Sequence, residues 1–195
     1  MENKELTYHI RIEYEGLGEH LYREFILRRD AMLGDIGLLI AVSFDTAMDR
    51  EIRFEQTGRP LAVMTSADKT PSCELPSAFG IRLRSLKLKA GSRFQAFYDA
   101  EIDQPFTVRV IGVQDYDGVG LPLLVEGRGA GIVEGMDPFH FLPTARDLIA
   151  GGEAQFTYRS PSTGVLSEWD IRRYSIEEDR RRLSSRLALA AGMYK

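Results

Sequence analysis

Apolar and polar side chains alternate, or nearly so, over Thr7 to Tyr14 and again over Leu21 to Arg28, and Gly16-Leu17-Gly18 supplies turn residues between the two runs. That pattern predicts a β-hairpin. In the next stretch, DAMLGDIGLLIAVSF, the residues Ile36, Leu39, Ile40 and Phe44 recur at helical spacing, with Asp30 or Asp35 supplying acidic charge near the first amides. The spacing predicts one amphipathic helix. From Glu51 the period returns to two in EIRFEQ, TGRP turns the chain, and Leu61 to Met64 completes a second hairpin.

The segment TSADKTPSCELPSAFG concentrates turn-forming residues and reads as a surface loop, while IRLRSLKL is compatible with either a strand or a short helical turn. Two further strands, RFQAFYD and FTVRVIGV, flank a stretch holding Asp99, Glu101 and Asp103, so these acids are expected at a hairpin end. DYDGVGLP predicts a tight Asp-Gly turn, and LLVEGRGAGIVEGM, too glycine-rich for a helix interior, an ordered loop. Pro138 to Ala150 reads as a short helix closed by Gly151-Gly152, and AQFTYRS with GVLSEWD as another strand pair. A last helix starts at a capping box of Ser175 and Glu178, carries the apolar stripe Ile176, Leu183, Leu187 and Ala190, and ends near Gly192.

These elements predict an α+β fold: antiparallel hairpins in a mixed or antiparallel sheet, packed with an amphipathic helix and followed by a C-terminal helix. The expected organisation is one domain over 1–195, with an α+β core over 7–170 and the terminal helix over 174–191. Composition agrees with one sizeable core, since 44% of residues are apolar and 28% charged. The net charge of -4 argues against a basic surface that grips nucleic acid as a whole. The first residues show no export signal and no long apolar run occurs, so a cytoplasmic protein without membrane contact is expected. Cys73 is the one cysteine, which excludes a disulfide or a thiolate metal cluster within the chain.

Candidate chemistry is sparse. Asp99, Glu101 and Asp103 could offer oxygen ligands to a cation, but the spacing of a calcium loop is absent. On a strand the three would share a face and repel one another, which favours a solvated turn. Gly127, Gly129, Gly131 and Gly135 fit neither a dinucleotide fingerprint nor a P-loop, and Glu126 and Glu134 beside them would repel phosphate. His9, His20 and His140 show no metal-ligand spacing, and there is no Gly-x-Ser-x-Gly elbow. The terminal helix and its approach carry Arg172, Arg173, Arg180, Arg181, Arg182 and Arg186, mixed with Glu177, Glu178 and Asp179. Charges so mixed tend to pair along the helix.

Five segments in order, YHIRIEYEG, LGDIGLLIAVSF, FQAFYDAEIDQPFTVRV, LPLLVEGRGAG and WDIRRYSIEEDRRRL, run from Tyr8 to about Leu187. In that order they resemble the plasmid pRiA4b ORF-three-like family of insertion-element passenger proteins. The central hairpin keeps the family's Tyr98, Asp99 and Asp103 but has Ala100, Glu101 and Gln104 at its Phe, Gly and Trp positions. Gly37 stands at a common histidine and Thr46 at a tryptophan, and Leu124 and Gly131 replace cysteines found in many members. The resemblance implies an α+β fold and a mobile-element or plasmid ancestry, without an activity to transfer.

The reading of the sequence is therefore a non-enzymatic binding or adaptor module with a protein partner and no cofactor. Its candidate binding residues are Tyr98, Asp99, Asp103, Glu126, Gly127 and Arg128, on the central hairpin and the glycine segment. The alternatives are nucleic-acid contact through Arg173, Arg180, Arg181 and Arg182, or a small enzyme or metal-dependent site near Asp99, Asp103, Glu126 and Arg128.

Overall fold

The computed structural model describes residues 5–116, 120–160 and 163–194. The strands are β1 (Glu5–Tyr14), β2 (Tyr22–Arg28), β3 (Ile52–Gln56), β4 (Arg59–Met64), β5 (Arg93–Tyr98), β6 (Gln104–Tyr116), β7 (Leu123–Arg128), β8 (Gln155–Arg159) and β9 (Leu166–Asp170). The helices are α1 (Leu33–Ser43), α2 (Pro138–Ala150) and α3 (Ile176–Ala191). The fold is α+β. Strands β1 to β7 form one seven-stranded sheet in the order β4-β3-β5-β6-β1-β2-β7, with antiparallel neighbours throughout, and β8 and β9 form a separate two-stranded sheet.

The period-two pattern decides which face of the large sheet is buried. Tyr8, Ile10, Ile12 and Tyr14 of β1 point into the core with Phe106, Val108 and Val110 of β6, while His9, Arg11 and Glu13 lie on the other face. That outer face is tied by charge: Arg11 pairs with Glu13 at 3.2 Å and with Glu24 at 3.5 Å, and Arg109 with Glu13 at 3.0 Å. Helix α1 covers the inner face and is buried along almost its whole length, because it also meets α3 and the 3-10 turn that carries Phe79. Only Asp35 escapes full burial; it caps the helix by accepting from Met32 N at 2.7 Å.

Of the local expectations, one open choice is resolved and two change. IRLRSLKL resolves as a 3-10 turn at Leu83–Leu86. The glycine segment after Pro122 is a strand rather than a loop as far as Arg128, because β7 pairs antiparallel with β2 at the sheet edge. Gly127 is usable inside a strand here since Arg23 and Tyr174 occupy the space its Cβ would need. Of the capping box at α3, one half is present: Ser175 Oγ accepts from Glu178 N at 3.3 Å. The Asp-Gly turn at 117–118 lies outside the described residues.

The free edge of β7 is covered. Arg180 of α3 donates from Nε to Leu124 O and from Nη2 to Val125 O, both at 2.8 Å, so an arginine on the terminal helix satisfies edge carbonyls that would otherwise template another strand. The small sheet is anchored by aromatic rings. Phe141 of α2 stands edge-to-face with Tyr14 of β1 and with Trp169 of β9, each at 5.3 Å between centroids, and Phe156 of β8 packs on Trp169 at the same distance.

Candidate functional site

The chain from β5 to β6 turns at Asp99 and Asp103, whose φ angles of 65° and 50° are left-handed, a region that Asp tolerates better than most side chains. Asp99 is not a solvated acid. It is 4% exposed, its Oδ1 accepts from Glu101 N at 3.1 Å, and its Oδ2 lies 3.7 Å from Arg50 Nε. Asp103 pairs with Arg53, and Glu101 is exposed. The three acids therefore do not share a strand face; the turn sends each to a different environment.

Tyr98, the last residue of β5, donates its hydroxyl to Glu134 at 3.1 Å, and Glu134 also accepts from Ala47 N at 3.1 Å. Burial pushes the Glu134 carboxyl up; the hydrogen bonds from Ala47 N and Tyr98 pull it back, Asp99 raises it further and Arg50 opposes. The sign follows from linkage. The folded state holds that proton more tightly than the unfolded chain, so the stability it contributes is full below the ordinary carboxylate range and is lost as pH rises through the raised value. Glu134→Gln removes this slope. Urea midpoints measured across acidic to neutral pH should favour the wild type most at the acidic end and converge toward, or fall below, the variant near neutrality; parallel curves would refute it.

Glu134 belongs to the segment that follows β7, and this segment links the hairpin to a polar cleft. It is pinned along its length: Ala130 N donates to Ile171 O at 3.1 Å, Ile132 N to Phe44 O at 2.8 Å, and Gly131 N to Asp45 Oδ2 at 3.2 Å. Gly131 is required for this route, because a Cβ there would meet the Phe44 carbonyl. Trp169 Nε1 donates to Gly131 O at 2.8 Å. One wall of the cleft is thus Ala130, Ile132 and Glu134, facing Tyr174 and the first turns of α3 across a volume of about 650 Å³.

At the base of this cleft lies Arg23, a residue that the sequence pattern did not single out. It sits in β2 on the inward side with Phe25 and Leu27 and is 2% exposed. Its Nη1 donates to Tyr22 O and Arg128 O at 2.8 Å, its Nη2 to Gly129 O at 3.0 Å, and the guanidinium carbon lies 3.9 Å from the Tyr174 ring centroid. The remaining Nε faces Asp179 Oδ2 at 3.5 Å, a charge contact more than a formed hydrogen bond. Burial raises the Asp179 carboxyl, with Arg23 opposing it, and burial pushes the Tyr174 hydroxyl up to about 12. The Tyr174 hydroxyl has no hydrogen-bond partner among the described residues.

The residues singled out in the sequence separate into two places. Tyr98, Asp99 and Asp103 lie at the β5–β6 turn; Glu126, Gly127 and Arg128 lie on β7, with Glu126 accepting from Tyr22 and the Arg128 carbonyl serving Arg23. Among the described residues no group of three or more His, Cys, Asp or Glu side chains is placed to hold a metal ion. Of the arginines, Arg173 and Arg182 line the cleft, Arg182 in an ion pair with Glu178, Arg180 is engaged with β7, and Arg181 is exposed with Nε on Glu177 O at 3.3 Å. No helix among the described residues is long and apolar enough to cross a membrane.

No family model matches the chain, and no curated protein matches it. Among solved structures it is similar to the crystal structure of a protein of unknown function, MM3350 from Methanosarcina mazei Go1, at 18% identity and a TM-score of 0.59. The match covers 76% of this chain and 84% of that one. Identity this low is informative about fold alone.

Proposed function

We propose that the protein is a binding module that takes a segment of a protein partner into the cleft between the segment after β7 and the first turns of α3. The observation that carries this reading is the cleft itself. A pinned, glycine-dependent loop and a capped helix hold polar side chains around an open volume of about 650 Å³, with a buried arginine at its base. Rigid walls carrying polar groups on a loop are the usual form of a recognition site, because little order has to be acquired on binding. The hairpin supports one cleft wall from behind: Tyr98 donates to Glu134, and Arg50 stands between Asp99 and Glu134.

The resemblance to the pRiA4b ORF-three-like family is compatible with this role and carries no activity of its own. The test is affinity capture of tagged wild type and of Glu168→Trp, which places a bulky ring on the exposed lining residue Glu168. A stoichiometric protein that resists nuclease, is retained by wild type and is lost by the variant is the expected result. Retention by both proteins would contradict binding in the cleft, and turnover of any substrate by the purified chain would contradict a pure binding role.

A further inference from the structure

We infer that Arg173 and Arg186 are the recognition pair of this cleft and that the segment they take is a peptide bearing one or two carboxylates. The inference rests on the proposed cleft-binding reading. Five arginines line the cleft, and three of them already have acceptors or ion-pair partners: Arg23 with three carbonyls and Asp179, Arg172 with Asp170 at 3.6 Å, and Arg182 with Glu178. The guanidinium groups of Arg173 and Arg186 have no hydrogen bond or ion pair among the described residues. Arg186 is half-buried and stands near enough to Asp179 to favour its charged form.

The carboxylates of the lining, in contrast, each hold a donor. Asp45 takes Gly131 N, Glu134 takes Ala47 N and Tyr98, Glu168 faces Gln155 Nε2 at 3.5 Å, Asp170 takes Arg172 N at 2.9 Å, and Glu178 and Asp179 face arginines. The guanidinium groups of Arg173 and Arg186 and the Tyr174 hydroxyl thus have donors to spare in the lining. A guanidinium fork matches a carboxylate in a bidentate way that an ammonium does not. The six carboxylates in the same lining set the size of the ligand charge. They would repel a run of phosphates, and the chain's net charge of -4 adds no general attraction, so an isolated carboxylate is accepted where a nucleic acid is not.

Trp169, the one tryptophan, lines the cleft and reports on it. The probes are a short acetylated peptide amide with a central glutamate pair, its glutamine and lysine counterparts, inorganic phosphate, and a DNA duplex, each titrated against the full chain while Trp169 fluorescence is followed. The glutamate peptide is expected to saturate the signal. Its affinity should fall about tenfold or more in the Arg173→Ala/Arg186→Ala double variant, as loss of charge-assisted hydrogen bonds implies, and should return in part with lysine at both positions. Arg173→Ala alone should keep the wild-type thermal midpoint, since its guanidinium has no hydrogen bond or ion pair among the described residues, while loss of Arg186 beside Asp179 should lower the midpoint of the double variant slightly. Glutamate and glutamine peptides binding equally, with no effect of the double variant, would overturn the carboxylate assignment and leave cleft binding standing. Stronger binding of DNA or phosphate than of the glutamate peptide would overturn it in favour of phosphate chemistry. No response to any probe would also overturn it, and the Glu168→Trp capture then judges the cleft reading alone.

Discussion

Replacing Arg23 with methionine is expected to destabilise the protein by about 3–5 kcal/mol, the range for removing one member of a buried ion pair. Three carbonyls, Tyr22 O, Arg128 O and Gly129 O, would lose their donor, and Asp179 would be left half-buried with Arg186 as its remaining nearby cation. Stacking on Tyr174 and the contact with Phe44 would persist only in part, since methionine keeps apolar volume but neither charge nor planarity. The relevant assay is urea denaturation of wild type, Arg23→Met, and Arg23→Met/Asp179→Asn. The double variant should be less destabilised than the single one, because a large share of the loss comes from the stranded Asp179 charge. A single variant within about 1 kcal/mol of wild type would remove Arg23 from its place as the pin of the cleft.

The second large effect is expected at Phe141. This side chain is fully buried and stands edge-to-face between Tyr14 on the large sheet and Trp169 on the small one. Phe141→Ala should cost about 3–5 kcal/mol through lost transfer energy and the cavity left behind. For a chain of this size that is a fall in Tm on the order of 10 °C. Trp169 emission should shift to the red as the β8–β9 hairpin loosens from α2. The control lies two residues away on the same helix: Phe139 is 87% exposed, and Phe139→Ala should change stability by no more than about 0.5 kcal/mol. Equal effects at the two positions would contradict the anchoring of the small sheet through Phe141.

The hairpins, α2 and the terminal helix were legible in the sequence because their signals are local. Period two marks β1 and β2, Pro138 and Gly151 bracket α2, and Ser175 caps α3. Strand β7 was not, because the fact that permits a glycine at 127 lies far away: Arg23 and Tyr174 fill its side-chain space. Burial of α1 beyond its apolar stripe had a signal in hindsight, since Asp35 is the one charged residue in the helix.

The candidate site was half legible. Tyr98, Asp99 and Asp103 were placed at a hairpin end, where they are found, yet period two could not show that Asp99 turns inward to Arg50. Arg23 did have a signal: in β2 it shares its side with Phe25 and Leu27, so it is a charge in an inward row. A charge there requires buried partners. The loop Gly129 to Glu134 was visible only as glycine content; its role as a cleft wall depends on Phe44, Asp45 and Ile171, which come from two other regions of the chain.

The measurement that tests the account most directly is amide hydrogen exchange of the full chain, alone and with its captured partner in saturating amount. The account predicts slowed exchange on both cleft walls, residues 130–134 and the stretch from Arg173 to Arg186, with the outer face of β1 and β6 unchanged. Protection confined to that outer face or to the β5–β6 turn, with both cleft walls exchanging as in the free protein, would contradict it.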